Sequence, residues 1–332
     1  MLPVEALDRA IDARADLLAE LGADTDGVRL LHGIAEGLPG VAVDRYGPIL
    51  LIQTWREPLS LADVEALHRL ATDRLGTTLD ACFNHRKKER NTDFRQWHDP
   101  QLPADPEVLE YGLRFDARPR HTGIDPLLFL DFRVGRRWVR DHAAGAHVLN
   151  LFAYTCGIGV AALAGGAASV WNVDFAQSAL TIGRANARRN DLDDQDFATV
   201  HSDVFPIIRQ LAGLPVGGRR RRTPRYQKHA ARQFDLVVLD PPRWAKTPWG
   251  AVDVVGDYPS LLKPCVLATR PGGHLLVTNN AAQVSLEAWL DVLRRCAEKC
   301  GRPIRSMEVL QPDSDFPSFD GQPPLKLAWL EV

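Results

Sequence analysis

From Glu110 onward the chain alternates short Val/Leu-rich runs with amphipathic helical runs. VLNLFAY, IGVAALAGG, SVWNVD, QSALTIGRANARRN, ATVHSD, IIRQLAG, FDLVVLD, YPSLLKPCVLATR, HLLVTNN, SLEAWLDVLRRCAEKC and LKLAWLEV follow in order. Strands this uniformly apolar are buried on both faces, and a helix between two strands is the crossover that parallel pairing needs. The pattern predicts an α/β fold whose core is a doubly wound, mostly parallel sheet. In such sheets a ligand lies at the carboxyl ends of the strands, so function is to be sought there.

The N-terminal third has a pattern of its own. GLPGVAVDRYGPILLIQTW contains two apolar runs meeting at Asp44-Arg45-Tyr46-Gly47-Pro48, a hairpin signal. SLADVEALHRLATDRLG has helical spacing, and LDACFNH predicts another short strand. The Pro- and Asp-rich stretch HDPQLPADPE places a domain boundary, giving a small α/β domain over 1–104 that positions substrate and a larger domain over 105–332. The larger one opens with a hairpin in VLEYGLRFDARP and a helix in FRVGRRWVRDHA.

An apolar fraction of 45% and a charged fraction of 25% are those of an ordinary soluble globular protein. No apolar run is long enough to span a bilayer, and the acidic amphipathic start lacks a signal peptide's basic flank and apolar core. The five cysteines are scattered, and Cys296 and Cys300, one helical turn apart, have no second pair to complete a zinc site. A reduced, cytoplasmic protein without metal is expected. The net charge of −2 hides two basic clusters, HRKKER at 85–90 and GGRRRRTPRYQKHAARQ at 217–233. The second has no apolar face and reads as a surface insert. Its Arg219, Arg220, Arg221 and Arg222 form either a solvated loop or an arm that contacts phosphates.

Four strand ends carry the chemistry. The first runs into NLFAYTCGIGVAA, where Gly157 to Ala162 fit a GxGxxA turn that admits a ligand to backbone N–H groups. The second ends at Asp174, seventeen residues after Gly157, placed to accept from a ribose diol or to cap the next helix. The third ends at Asp203, which can accept from an adenine amino group beside Val204 and Phe205, or serve as another helix cap. The fourth ends in Asp240-Pro241-Pro242, where two residues without N–H groups force the chain out of the sheet. A nicotinamide dehydrogenase accounts for the first two features and leaves the last two unexplained. A methyltransferase using S-adenosylmethionine accounts for all four.

With LFLDFRVGRRWV, LNLFAYTCGIGVAA, WNVD, HSDVF and LDPPRWAK in view, the chain resembles the class I methyltransferases of bacterial 23S rRNA. That family has cytosine-C5 and guanine-N7 branches. GLPGVAVDRYG resembles the start of its small α/β domain, and too few residues precede it for the PUA-type RNA-binding domain that many relatives carry. The resemblance implies a Rossmann-like sheet, S-adenosylmethionine as cofactor, and RNA as partner, 23S rRNA or a large-subunit precursor. It implies that Phe129, Asp131 and Arg133 cover the cofactor. Asn150, Phe152, Ala153, Tyr154, Thr155, Gly157, Gly159, Asp174, Phe175, Asp203 and Val204 would line it. Asp240, Pro241, Pro242 and Asn279 become the catalytic candidates.

Two departures bear on chemistry. Cys156 stands where the family pattern has glycine, so a side chain crowds the turn unless glycine's conformation is not needed there. Methylating cytosine C5 also requires a thiolate to add at C6, and cytosine-C5 members carry that cysteine at the fifth strand's end or beside Asp-Pro-Pro. This chain has HLLVTNN and PPRWA instead. Asn279-Asn280 resembles the guanine-N7 branch, where a ring nitrogen offers a lone pair and alignment suffices. Cys265, in the helix after Tyr258, reads as a buried thiol. Trp244 is expected either to stack on the target base or to pack within its loop, with Arg243 and Lys246 on phosphates. The alternatives are cytosine-C5 methylation through Cys265 or Cys156, or a non-catalytic RNA-binding assembly factor.

Overall fold

The computed structural model describes residues 2–86, 96–100, 102–121, 125–192, 195–216 and 226–332. Arg219 to Arg222, and HRKKER beyond Arg86, lie outside the described residues. The chain forms two units: Met1–Arg133 with Pro312–Gly321, and Val134–Gln311 with Gln322–Val332.

In the first unit, α1 (Pro3–Asp12) and α2 (Ala15–Leu21) precede β1 (Gly27–His32), β2 (Val41–Tyr46), β3 (Ile49–Thr54), α3 (Leu61–Leu75), β4 (Asp80–His85) and β5 (Gln96–His98). The strands pair in chain order, and only β3 and β4 are parallel, joined by α3 as a crossover. A reciprocal capping box between Ser60 and Asp63 starts α3, and Gly76 with φ 60° ends it. Leu30, Val43, Ile52 and Phe83 of the sheet pack with Leu7 and Ile11 of α1 and Val64 and Leu67 of α3.

A ribbon of β6 (Glu107–Glu110) and β7 (Leu113–Asp116) follows, and it moves the boundary expected at 104/105. Asp26 donates its N–H to the Leu109 carbonyl and accepts the Leu109 N–H on Oδ1, while Thr25 Oγ1 accepts the Tyr111 N–H. These bonds tie the ribbon to the first unit, which holds residues on both sides of the expected boundary. The unit continues to Arg133. Buried Arg133 donates through Nε to Asp313 (2.7 Å), through Nη2 to Asp315 (2.7 Å) and through Nη1 to the Gly27 carbonyl (2.9 Å). The residue expected over the cofactor thus has its side chain committed within the first unit. All three guanidinium nitrogens hold the 312–321 segment and β1. Phe129 and Asp131 also belong to this unit, Phe129 with its ring exposed.

The second unit begins with α4 (Arg133–His142) and continues through β8 (His147–Leu151), α5 (Gly157–Ala164), β9 (Ser169–Asp174), α6 (Gln177–Arg189), β10 (Phe197–His201), α7 (Val204–Leu211) and β11 (Phe234–Leu239). After β11 come β12 (Trp244–Thr247), β13 (Gly250–Asp253), α8 (Tyr258–Ala268), β14 (Thr269–Asn279), α9 (Leu286–Lys299), β15 (Ser306–Leu310) and β16 (Lys326–Glu331). Seven strands form one sheet in the order β10-β9-β8-β11-β14-β16-β15, parallel except for β16. Leu149, Val173, Val237, Leu239 and Val277 meet Ile207, Leu262, Val266 and Trp289 in its core. The segment after Asp-Pro-Pro is a separate antiparallel ribbon of β12 and β13, not an irregular loop.

Candidate active site

The chain steps outward from β8 to β10 and then resumes at β11 on the other side of β8. At that switch point the connections leaving the two neighbours diverge and open a crevice beyond their carboxyl ends.

The β8–α5 turn forms one wall. Phe152 (φ 58°), Tyr154 (φ 48°) and Cys156 (φ 61°) all adopt the left-handed region, which costs a side-chain-bearing residue about 1–2 kcal/mol. The surroundings hold the turn in place. Asp174 Oδ2 accepts the Tyr154 N–H (2.8 Å), the Val173 carbonyl accepts the Ala153 N–H (3.0 Å), and Asn186 donates to the Thr155 carbonyl (3.1 Å). Glycine's conformation is thus adopted at Cys156, and the crowding is relieved on the opposite helix. A Cβ at Gly183 of α6 would lie 2.3 Å from Cys156 Sγ. Gly183 leaves the volume that the thiol fills.

The two glycines of the turn do different work. Gly157 opens α5, and no side chain caps that helix, so its first N–H groups are available to a ligand. Gly159 faces the sheet, where a Cβ would lie 2.2 Å from Asn172 Oδ1. Asn150 donates to the same oxygen (2.9 Å), and Asn172 donates to the Ala198 carbonyl (3.3 Å). Asn150 and Gly159, both expected at the cofactor, thus meet Asn172 where α5 packs onto β8 and β9. Asn172 is not among the residues expected at the site, and its signal in the sequence is an amide inside an apolar strand, which marks a buried polar contact.

Asp174 is nearly buried, and its Oδ1 accepts the Ala176 N–H (2.7 Å). Burial raises its pKa, opposed by the backbone N–H groups of Ala176 and Tyr154. The Phe175 N–H acts on the carboxylate as well, and a carboxylate's roughly four lone-pair sites leave acceptor capacity for a hydroxyl. Asp174 is not the cap of α6, whose N-cap residue is Ala176. Next to it, Phe175 exposes its ring. Asp203 is the N-cap of α7 and accepts the Phe205 N–H (2.9 Å), while Val204 is buried in the core.

On the other wall, Asp240 accepts a hydrogen bond from Thr278 Oγ1 (2.5 Å), which couples the ends of β11 and β14. Pro241 is buried and Pro242 half-buried. Asn279 is buried; it donates to the Val254 carbonyl (3.1 Å) and accepts the Ala281 N–H (2.9 Å). It pins the end of the ribbon to β14, while Asn280 is the exposed member of the pair. Tyr258, at the start of α8, donates to the Thr278 carbonyl (2.8 Å) and supports the same corner. Trp244 is 63% exposed, and Lys246, two residues along β12, shares its outward face. Arg243 donates to Gln283 Oε1 (3.0 Å). At the ribbon's turn, Trp249 meets Tyr226 edge-on.

All five cysteines are described. Burial raises the pKa of Cys156 and Cys265, and pushes Cys82 up to about 11 and Cys296 up to about 12. Cys265 donates to the Leu261 carbonyl one turn earlier in α8. Among the described residues no group of His, Cys, Asp and Glu side chains could hold a metal ion.

The donor set fits a cofactor with an amino-acid end, a diol and a flat base: free N–H groups at α5, a carboxylate at Asp174 and an exposed ring at Phe175. This strand order, with a reversed strand near one edge and acidic strand ends, defines a class I methyltransferase. A family model described as S-adenosylmethionine-dependent methyltransferase matches residues 29–330, and the chain belongs to that family, with S-adenosylmethionine as its cofactor. It is 30% identical over 326 residues to the ribosomal RNA large subunit methyltransferase I of Aeromonas hydrophila, covering 95% of this chain and 75% of that protein. With the ribosomal RNA large subunit methyltransferase of Deinococcus radiodurans it shares 31% identity over 317 residues, covering 91% and 71%. Among solved structures, SMU.776 complexed with SAH superposes with a TM-score of 0.80 at 22% identity, over 99% of this chain and 81% of the other, a likeness of fold. A methyltransferase structure from Streptococcus mutans superposes with a TM-score of 0.79 at 21% identity, over the same shares.

Proposed function

We propose that this enzyme methylates a base of ribosomal RNA, most simply 23S rRNA or its large-subunit precursor, at a ring nitrogen such as guanine N7. Relatives named as large-subunit rRNA methyltransferases support RNA as the acceptor. The disposition of the cysteines carries the choice of atom. A cytosine-C5 mechanism needs a thiolate beside the acceptor, whereas Cys156 and Cys265 are fully buried with raised pKa values. Cys82 lies in the first unit's sheet, and Cys296 and Cys300 lie at the far end of α9. A purine ring nitrogen brings its own lone pair, so the protein has only to align it.

The cofactor supplies an electrophilic methyl group. Asp174 and the N-terminal N–H groups of α5 hold it, and Asp203 and Phe175 flank the base. Asp240, fixed by Thr278, accepts from the N–H edge of the target base, while Pro241 and Pro242 stiffen the loop. Asn279 positions this corner through Val254 and Ala281. Trp244 stacks on an extruded base, with Arg243 and Lys246 toward its phosphates. Phe129 and Asp131 remain assigned to the cofactor on the strength of the family pattern, and the first unit positions the RNA. No helix among the described residues is long and apolar enough to cross a membrane.

The test is transfer of a labelled methyl group from S-adenosylmethionine to ribosomal RNA from a strain lacking this gene, followed by digestion to nucleosides. Labelled 7-methylguanosine is expected. Labelled 5-methylcytidine would keep the acceptor and overturn the non-covalent mechanism. Cofactor binding without label on free RNA, subunits or ribosomes would leave a binding protein that retains the fold.

A further inference from the structure

A groove of about 370 Å³ lies between α8 and α9. Its apolar lining is the buried Cys296, the half-buried Val292 and the exposed Pro259, and around them stand Lys263, Arg295 and Lys299. All three cations are exposed, and none is ion-paired to a described carboxylate. The contrast with the next residue is sharp: Arg294 is neutralised by Asp291 at 2.9 Å, and neither lines the groove. Lys263 and Lys299 lie close enough to Cys296 to oppose the rise that burial imposes on its thiol. Three cations around one apolar groove, with no described carboxylate paired to them, give it a positive rim that is complementary to an anion.

The shape narrows the anion. An apolar lining within a cationic rim suits a ligand with one flat or apolar part and one phosphate. Arg295 and Lys299 are one helical turn apart, about 6 Å along α9, so they can reach successive phosphates. The groove also points back to the reaction. Pro259 follows Tyr258, whose hydroxyl supports Thr278 and through it Asp240.

We infer that the α8–α9 groove binds a nucleoside phosphate, and that in the working enzyme this is a nucleotide of the acceptor RNA outside the strand-end crevice. The inference rests on the acceptor being RNA; the groove gives that RNA a second anchor. A free nucleotide has the same chemistry and is the other source to separate.

The test compares wild type with Lys263→Gln, Arg295→Gln/Lys299→Gln and Val292→Trp, the last filling the groove without changing charge. Arg294→Gln serves as a charge-matched control. Affinity for a large-subunit rRNA fragment is measured across a salt series, cofactor affinity by calorimetry, and groove occupancy by titration with guanosine monophosphate. Arg295→Gln/Lys299→Gln should weaken RNA binding about tenfold and lower the slope of log K against log salt by about 1.4, two single-strand phosphate contacts. Val292→Trp should weaken RNA binding with less change in slope, and Arg294→Gln should change neither. Saturable nucleotide binding lost in the same variants, with RNA affinity unchanged, would keep the ligand chemistry and assign the groove to free nucleotide. RNA affinity and slope equal to wild type in all groove variants, without nucleotide binding, would overturn the inference, as would binding of an acidic peptide in place of both. Wild type that binds cofactor but no RNA would refute the acceptor itself, and nucleotide titration would then judge the groove alone.

Discussion

The substitution Gly183→Ala isolates what holds the cofactor turn. In an ordinary helix interior it would stabilise by about 1 kcal/mol. Here the new methyl group would stand 2.3 Å from Cys156 Sγ, 2.8 Å from its Cβ and 3.2 Å from the Thr155 carbonyl carbon. The first two contacts are impossible without displacing the turn, and overpacking of this kind costs about 1–3 kcal/mol. Because the turn already holds three left-handed residues, it cannot yield cheaply. Cys156→Gly should be nearly neutral alone, since relief of left-handed strain offsets a lost buried thiol, each about 1 kcal/mol. In that background the two contacts under 3 Å are gone and the Thr155 contact at 3.2 Å stays, so Gly183→Ala should become neutral or stabilising. The coupling should reach about 1–3 kcal/mol. Thermal unfolding followed by circular dichroism would read it, at about 2–4 °C per kcal/mol for a unit of this size. Cofactor affinity should fall in Gly183→Ala and recover in the double variant. Effects that add to within about 0.5 kcal/mol would refute the claim that the thiol occupies the space Gly183 leaves.

Three further outcomes follow from the same geometry. Asp174→Asn puts an amide donor against the Tyr154 or Ala176 N–H and removes a diol acceptor, so cofactor affinity should drop at least tenfold by calorimetry; an unchanged Kd would sink the assignment. Since burial raises this carboxyl's pKa, wild-type affinity should begin to fall on acidification earlier than an ordinary carboxylate dictates. Trp244→Ala should weaken RNA binding by about 1–3 kcal/mol with cofactor affinity intact, whereas a packing role would lower the melting temperature instead. In the first unit, burial and then the Arg29 and Arg14 cations lower the His32 pKa to about 4 from 6.5. The unfolded chain thus binds the proton more readily, so the unit is fully stabilised above pH 6.5 and loses stability as pH falls toward 4. His32→Gln should flatten that acid limb in urea titrations, and an unaltered slope would contradict it.

Much of this was legible in the sequence because periodicity and strand-end chemistry are local. Val/Leu runs separated by helical spacing suffice for a doubly wound sheet, and that architecture makes Asp174, Asp203 and Asp240 strand-end residues without any knowledge of their neighbours. Side-chain partners are another matter, because they are set by contacts between distant segments. Arg133 meets Asp313 and Asp315, 180 and 182 residues away, and so belongs to a unit the chain leaves and re-enters. Asn279 has the residue type expected near an acceptor, yet packing turns it onto Val254 and Ala281 and leaves Asn280 at the surface. Gly159 satisfies a cofactor motif in sequence and closes a helix–sheet contact in space. The deviation at Cys156 becomes intelligible only beside Gly183. Local pattern determined the class of fold and which residues stand at its strand ends. Only tertiary packing, which brings residues far apart in sequence within bonding distance, decided which polar groups hold the structure together and which are left exposed.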